Sequence, residues 1–360
     1  MKIPVSNIYY LLCYAWNKLD AQQFVAVDAE SCDTLPELFA RVLHGGVSHL
    51  LKKGLDRDYL EHEEALAGIR GKIDFSSSVK QNLFIRQRAI CRYDDLSYNI
   101  LHNQILKTTV GRLMRLKELD KDWGAKLHVV YGRFHEVSTI ALTSQTFKRV
   151  KIHRNNQFYE FLMRICELLY HSLLPTEQAG QYKFIDFTKD DDKMANVFEE
   201  FVRKFYQHEQ KEYQAKRENI TWQYNSSVTE ANKLLPKMET DISLRKPGRL
   251  IIMECKYYRD VFDNRYGQDK YRSGHFYQVY AYLTQSRKIE KLDTAVSGIL
   301  LYATGYDLEP QIYSRPDEPT LYIRGLNLTK HWSEVRRELL GLMGLGEGTD
   351  EVGGGLAQTL

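Results

Sequence analysis

Two alternating runs, Lys237–Leu244 and Leu250–Tyr257, meet at Lys246-Pro247-Gly248-Arg249 and constrain the fold more than any other stretch of the chain. Period-two alternation on both sides of a Pro-Gly junction predicts a β-hairpin. An even loop centred on Pro247-Gly248 sets Ile242 opposite Met253, Leu244 opposite Ile251, Asp241 opposite Glu254 and Glu239 opposite Lys256. One face is then apolar, and the other gathers Asp241, Glu254 and Lys256. L-Pro-Gly favours a type II turn, whose twist suits a two-residue hairpin poorly, so a longer loop about the same centre is expected. Two opposed carboxylates repel unless a cation or a proton relieves them. Hard oxygen donors of this kind suit Mg²⁺, which keeps several waters and needs only one or two protein carboxylates. A bound divalent ion acidifies water and neutralises phosphate, and Lys256 stands where an ammonium can orient that water. The competing reading is a solvated amphipathic hairpin with a surface Glu239–Lys256 ion pair.

Further along, Gln278 and Tyr282 lie four apart on a predicted helix over about Gln268–Gln285, on one face. Upstream, a predicted helix over Lys193–Glu212 carries Val197, Phe198, Phe201, Val202, Phe205 and Tyr206 on one stripe, with Glu199 and Glu200 at its edge. Strands near Ala295–Tyr302 and Leu321–Leu326 complete an α/β succession. Before residue 175 the pattern is mixed. An apolar helix over Asn7–Trp16, capped by Ser6 or Asn7, is followed by helices over Thr34–Lys53, Ser97–Lys117 and Asn156–Leu173, with Pro175 ending the last. Strands are expected at Tyr59–Ala65, Ile69–Phe75 and Ile85–Tyr93. The boundary falls in Leu174–Tyr182, which gives domains 1–175 and 176–343 and a glycine-rich, disordered tail over 344–360.

The charge balance excludes a DNA-coating protein: 50 Lys and Arg face 47 Asp and Glu, a net of +3. Basic residues are instead local. Arg259, Arg265, Lys270 and Arg272 alternate with tyrosines in the segment after Lys256, a composition suited to tracking a DNA backbone or to a solvated lid. Five singly spaced cysteines (Cys13, Cys32, Cys91, Cys166, Cys255) argue for reduced thiols and against a zinc site. No apolar run spans a bilayer and no signal peptide opens the chain, so a cytoplasmic protein without membrane contact is expected.

The order helix glutamate, Asp241, Glu254-Cys255-Lys256, Gln278-xxx-Tyr282 resembles the PD-(D/E)xK nuclease superfamily, in particular its QxxxY branch. More narrowly, Ile3–Trp16, Gly68–Phe75, Leu235–Ile242 and Glu254–Tyr258 are similar to the McrC-type subunits of McrBC modified-cytosine restriction systems, over about residues 3–340. The resemblance implies an α/β chain, α+β in its amino-terminal half, with a carboxy-terminal restriction-endonuclease-like domain built on a central mixed sheet flanked by helices. It implies Mg²⁺-dependent DNA cleavage, with Asp241 and Glu254 as metal-binding acids, Lys256 as catalytic lysine, Gln278 and Tyr282 as auxiliary groups, and Glu199 as a further metal ligand in competition with Glu200. Pro236 stands five residues before Asp241, displaced from the superfamily's pattern. The implied partner is an McrB-like AAA+ GTPase ring acting on double-stranded DNA with modified cytosine, docked through the amino-terminal half. This chain has no GxxxxGK[ST] loop, so GTP belongs to the partner. Arg70 and Lys72, on a glycine-flanked segment, are candidates for stimulating that GTPase in trans, or are edge-strand guards. Two other functions remain open: a stand-alone QxxxY repair or processing nuclease, and a non-catalytic activator of an AAA+ NTPase.

Overall fold

A computed structural model describes residues 1–17, 32–152, 157–178, 180–224, 234–258, 260–265 and 268–345. These fall into two compact units, one holding residues 1–17, Cys32 and 186–345 and the other residues 33–185. Helix α1 (Val5–Ala15) therefore joins the carboxy-terminal half, which the sequence division at residue 175 does not anticipate. Its packing explains why. Tyr14 sets its ring 5.7 Å from Phe201 and 5.5 Å from Phe205, and its hydroxyl donates to Glu209 at 2.5 Å. Tyr10 stacks on Trp332 at 4.5 Å. Nor does Asn7 or Ser6 cap the helix: Pro4 occupies the cap, and the buried Asn7 amide donates instead to the Leu328 and Lys330 carbonyls, both at 2.8 Å.

The 33–185 unit is helical with a small antiparallel sheet. Helix α2 (Leu35–Lys53) starts with the Thr34 hydroxyl accepting from Glu37 N, and is followed by strands β1 (Asp58–Leu66) and β2 (Lys72–Ile73) and the short helix α3 (Phe75–Lys80). Strand β3 (Ala89–Ser97) lies between β1 and β2, pairing with β1 over nine residues. The expected strand Ile69–Phe75 is thus only two residues long, because the Asp74 carboxylate accepts from Ser77 N and opens a helix. Helices α4 (Leu101–Leu113), α5 (Lys121–Gly132), α6 (Ser144–Lys148) and α7 (Gln157–Ser172) complete the helical core. Pro175 does not end α7; it closes strand β4 (Leu173–Pro175), which pairs with β5 (Tyr182–Phe184). The unit's boundary accordingly lies at Ile185.

The other unit continues with α8 (Asp191–Glu209), capped by the Asp190 carboxylate on Lys193 N, then β6 (Gln214–Lys216), β7 (Asn219–Ile220), β8 (Met238–Glu239), β9 (Ile242–Lys246) and β10 (Arg249–Tyr257). After the hairpin β11 (Phe262–Arg265) and β12 (Gln268–Tyr271) come α9 (Ser273–Ile289), β13 (Ala295–Thr304), β14 (Gln311–Tyr313), β15 (Thr320–Asn327) and α10 (Trp332–Gly341). One mixed six-stranded sheet runs β14-β15-β13-β10-β9-β6, with β10, β13 and β15 parallel and the outer pairs antiparallel. The β10-α9-β13 passage is a parallel crossover, which puts α9 on one face of the sheet.

Strand β10 is central and buried along nearly all its length. Its even-numbered Leu250 and Ile252 pack with Val279 and Leu283 of α9, together with Leu300 and Tyr302. Its odd-numbered side meets α8, where Phe198 faces Tyr257. At Gly298 of β13 an added Cβ would stand 2.8 Å from Leu283, so α9 lies directly on the sheet. The solvated face of the competing reading therefore does not exist, since helices cover both sides, with Glu254 buried and Asp241 partly buried. All five cysteines are buried and none forms a disulfide. Among the described residues no helix is long and apolar enough to cross a membrane.

Candidate active site

The hairpin register places Ile242 against Met253, Leu244 against Ile251 and Lys246 against Arg249, as the alternation predicts. The loop is only Pro247-Gly248, shorter than expected, and Gly248 takes φ +73°, the value a type II turn requires of its third residue. Its twist is tolerated because β10 is also paired to β13 throughout, and Ala295 N donates to the Gly248 carbonyl at 2.9 Å.

The ladder stops at Ile242–Met253. Residues 238–241 turn away from β10, with β8 pairing to β7 instead, so Asp241 and Glu254 meet across the mouth of the hairpin through their side chains. One Asp241 carboxylate oxygen accepts from Cys255 N at 2.8 Å, taking a place that a backbone carbonyl would fill in a continued ladder. The Glu254 side chain is 1% exposed, and one of its oxygens is buried without a hydrogen-bond partner. Its other oxygen accepts from the Lys256 ammonium at 2.7 Å. Burial, and then the adjacent Asp241 charge, push the Glu254 carboxyl up to about 7 even though Lys256 opposes them. Asp241 is also raised by burial, with the Cys255 N–H and the Lys256 charge pulling the other way. Burial alone would weaken the Lys256 ammonium, but the Glu254 carboxylate outweighs it and leaves the amine's pKa raised.

A polar relay extends from Lys256. Its ammonium donates to Gln278 Oε1 at 3.1 Å, Gln278 Nε2 donates to the Tyr282 hydroxyl at 3.0 Å, and that hydroxyl donates to the Glu239 carbonyl at 3.0 Å. Lysine has only protons to offer, so it fixes which end of the amide faces it and hence the direction of the whole relay. The Glu239–Lys256 ion pair of the competing reading is absent; Glu239 pairs with Lys237 at 3.0 Å. Asp241, Glu254, Lys256, Gln278 and Tyr282 are thus gathered in one place.

Glu199 is linked to them through Arg203, whose Nη1 donates both to it and to the Asp241 carbonyl. It is held by Arg203 at 3.1 Å and by Arg217, while Glu200 also bonds Arg203. Among the described residues no three His, Cys, Asp or Glu side chains form a ligand cluster. Two carboxylates with one unsatisfied buried oxygen are nonetheless a donor set that fits Mg²⁺ with water completing its shell. Arg203, which sequence reading passed over, also donates to the Asp241 carbonyl at 3.2 Å. Its only advance signal was the i,i+4 spacing from Glu199.

Arg272 lays its guanidinium 4.9 Å over the Tyr258 ring, and exposed Lys270 lies opposite Asp263 in the β11–β12 ladder. Arg259 lies outside the described residues, as does the side chain of Arg265. In the other unit, Arg70 lies 4.0 Å over the Tyr93 ring and pairs with Asp95 at 3.1 Å, and Lys72 is exposed on β2. Gly71 between them takes φ +66°, and a Cβ there would strike the Arg92 carbonyl at 2.2 Å, so the segment must carry glycine. The tail over 344–360 lies outside the described residues except for Gly344 and Leu345. A cavity of about 610 Å³ lies on the far side of α9, lined by Phe276, Tyr280, Arg287 and Tyr313, and none of the gathered polar residues lines it.

A family model described as McrBC 5-methylcytosine restriction system component matches residues 7–303. The chain is 29% identical over 338 residues to the type IV methyl-directed restriction enzyme EcoKMcrBC of Escherichia coli K12, spanning 94% of this chain and 96% of that protein. Among solved structures it is similar to a chain in the half-complex from a tetradecameric assembly of Thermococcus gammatolerans McrB AAA+ hexamers with bound McrC. The TM-score is 0.58 at 15% identity, covering 94% of this chain and 76% of that one, a likeness of fold.

Proposed function

The chain belongs to the McrBC 5-methylcytosine restriction system component family, and on that premise we propose that it is the McrC-type subunit that cuts DNA in such a system. The observation that carries the reading is the pair of partly buried Asp241 and buried Glu254, with an unsatisfied Glu254 oxygen and the Lys256 ammonium beside it. A carboxylate pair raised in pKa inside a sheet is a poor structural element and a good binding site for a divalent cation. Mg²⁺ bound there would polarise the scissile phosphate and acidify a water. Asp241 and Glu254 would hold the ion through their carboxylate oxygens. Lys256 stays an ammonium at neutral pH, so its part is to orient the attacking water by donating hydrogen bonds and to offset the charge that develops on phosphate. Gln278 and Tyr282 fix the direction in which that ammonium points. Glu199 joins as a ligand only by exchanging its arginine partners for the ion. Arg259, Arg265, Lys270 and Arg272 would follow the DNA backbone beside the cut.

The 33–185 unit is proposed to dock an McrB-like AAA+ GTPase and stimulate it. It exposes Ile69, Phe75, Val79 and Ile85 around Arg70 and Lys72, a mixed apolar and basic surface suited to a partner. The likeness to a chain solved with AAA+ hexamers supports the same assignment. Recognition of modified cytosine and GTP binding then belong to the partner, and the complex works in the cytoplasm.

Lys256→Ala and Asp241→Ala should each lower DNA cleavage by the reconstituted complex at least about a hundredfold while leaving GTPase stimulation intact. Cleavage at the parent rate by either variant would sink the site assignment. Robust Mg²⁺-dependent cutting by the purified chain without any GTPase would replace the partnered reading with that of a stand-alone nuclease.

A further inference from the structure

We propose that Arg203 is a positioning residue for the Asp241–Glu254 pair, fixing through the Asp241 carbonyl the bend that aims the Asp241 side chain at Glu254. The inference rests on the reading of that pair as a metal site and adds a residue to it. Asp241 lies in neither strand: β8 ends at Glu239, β9 begins at Ile242, and the β9–β10 ladder begins one residue later than Asp241. Sheet pairing therefore does not hold its main chain. Tethers from outside the hairpin hold the bend: β8 pairs with β7, and the Thr240 hydroxyl accepts from Glu218 N at 3.0 Å. Tyr282 donates to the Glu239 carbonyl, Thr240 N donates to the Glu218 carbonyl at 2.9 Å, and Arg203 Nη1 donates to the Asp241 carbonyl at 3.2 Å. Of these, the Arg203 bond is the one made to residue 241 itself.

Arg203 is 8% exposed, and its guanidinium also bonds Glu199 and Glu200, so three acceptors converge on one planar group. Lysine offers a point charge on a flexible stem and cannot hold three acceptors in one plane. Burying such a cluster is an inefficient source of stability, because the desolvation of the charges offsets most of their attraction. Its value lies in geometry. The cluster pins α8 to the bend, and Arg217 completes the charge balance against the two glutamates. Groups that orient a metal ligand without touching the ion change metal affinity by roughly 10–100-fold when removed.

Calorimetric titration of Mn²⁺ into the full chain tests this, with Arg203→Met and Arg203→Lys compared against Asp241→Asn and circular dichroism reporting the fold. The expected result is that Arg203→Met binds Mn²⁺ at least about tenfold more weakly and that Arg203→Lys recovers only part of the loss. A folded Arg203 variant with parent affinity overturns the inference. Collapse of both variants overturns it as well, since Arg203 would then hold the unit together and not aim a ligand. If Asp241→Asn weakens Mn²⁺ binding and the Arg203 variants do not, only this inference fails. If Asp241→Asn also binds as the parent does, the metal site itself is wrong.

Discussion

Between pH 4.5 and about 7 the folded chain keeps a proton on the Asp241–Glu254 pair that the unfolded chain releases, because burial raises Glu254 to about 7. Stability contributed by this pair is therefore greatest below that window, falls as pH rises through it, and is level above it. Glu254→Gln removes the Glu254 titration and leaves that of Asp241. In metal-free buffer its melting temperature should gain on the parent's by a few degrees from pH 4.5 to 7 and hold a constant difference beyond; a difference independent of pH in calorimetry contradicts the burial argument. The identity of these acids was legible in the sequence because alternation puts residues 254 and 256 on one side of a strand. Their burial was not legible. Whether a polar face is solvated depends on what covers it, and α9 covers this one through Val279 and Leu283, distant in sequence. Arg203 was hidden for a related reason, since its acceptor at residue 241 lies 38 positions away.

The helix α9 acts as a unit with the hairpin through the Lys256–Gln278–Tyr282–Glu239 relay. Removing the Tyr282 hydroxyl leaves the Glu239 carbonyl without this donor and Gln278 Nε2 without this acceptor. Tyr282→Phe should cost about 1–2 kcal/mol in urea unfolding and lower cleavage less than Lys256→Ala does; unchanged stability would show that water replaces the hydroxyl. Most long elements could be placed from periodicity, among them α2, α8, β10 and β13. The short ones could not. Strand β2 and helix α3 are set by one capping carboxylate, Asp74, and by Gly71, whose left-handed backbone forces the chain close to β3. Such local signals decide two or three residues at a time, too few for a periodic pattern to register.

At the scale of the molecule, α1 belongs to the unit that holds the acid pair, although 175 residues separate it from α8, the helix it packs on. The sequence recognised α1 as buried, but an apolar helix carries no mark of which core it enters. Deleting residues 1–17 uncovers Phe201 and Phe205 and leaves the Leu328 and Lys330 carbonyls without Asn7. Two calorimetric transitions are expected in the parent, and this deletion should lower only the one belonging to residues 186–345. A lowered transition for residues 33–185 would contradict the division. The arrangement also sets an order in time. Translation at roughly 5–20 residues per second makes α1 something like ten to forty seconds before α8 emerges, so the first helix waits, apolar and unpaired, while the whole 33–185 unit is made. The half that carries Asp241 and Glu254 cannot close until β15 and α10 have been made, and a chain stalled before them carries no assembled acid pair.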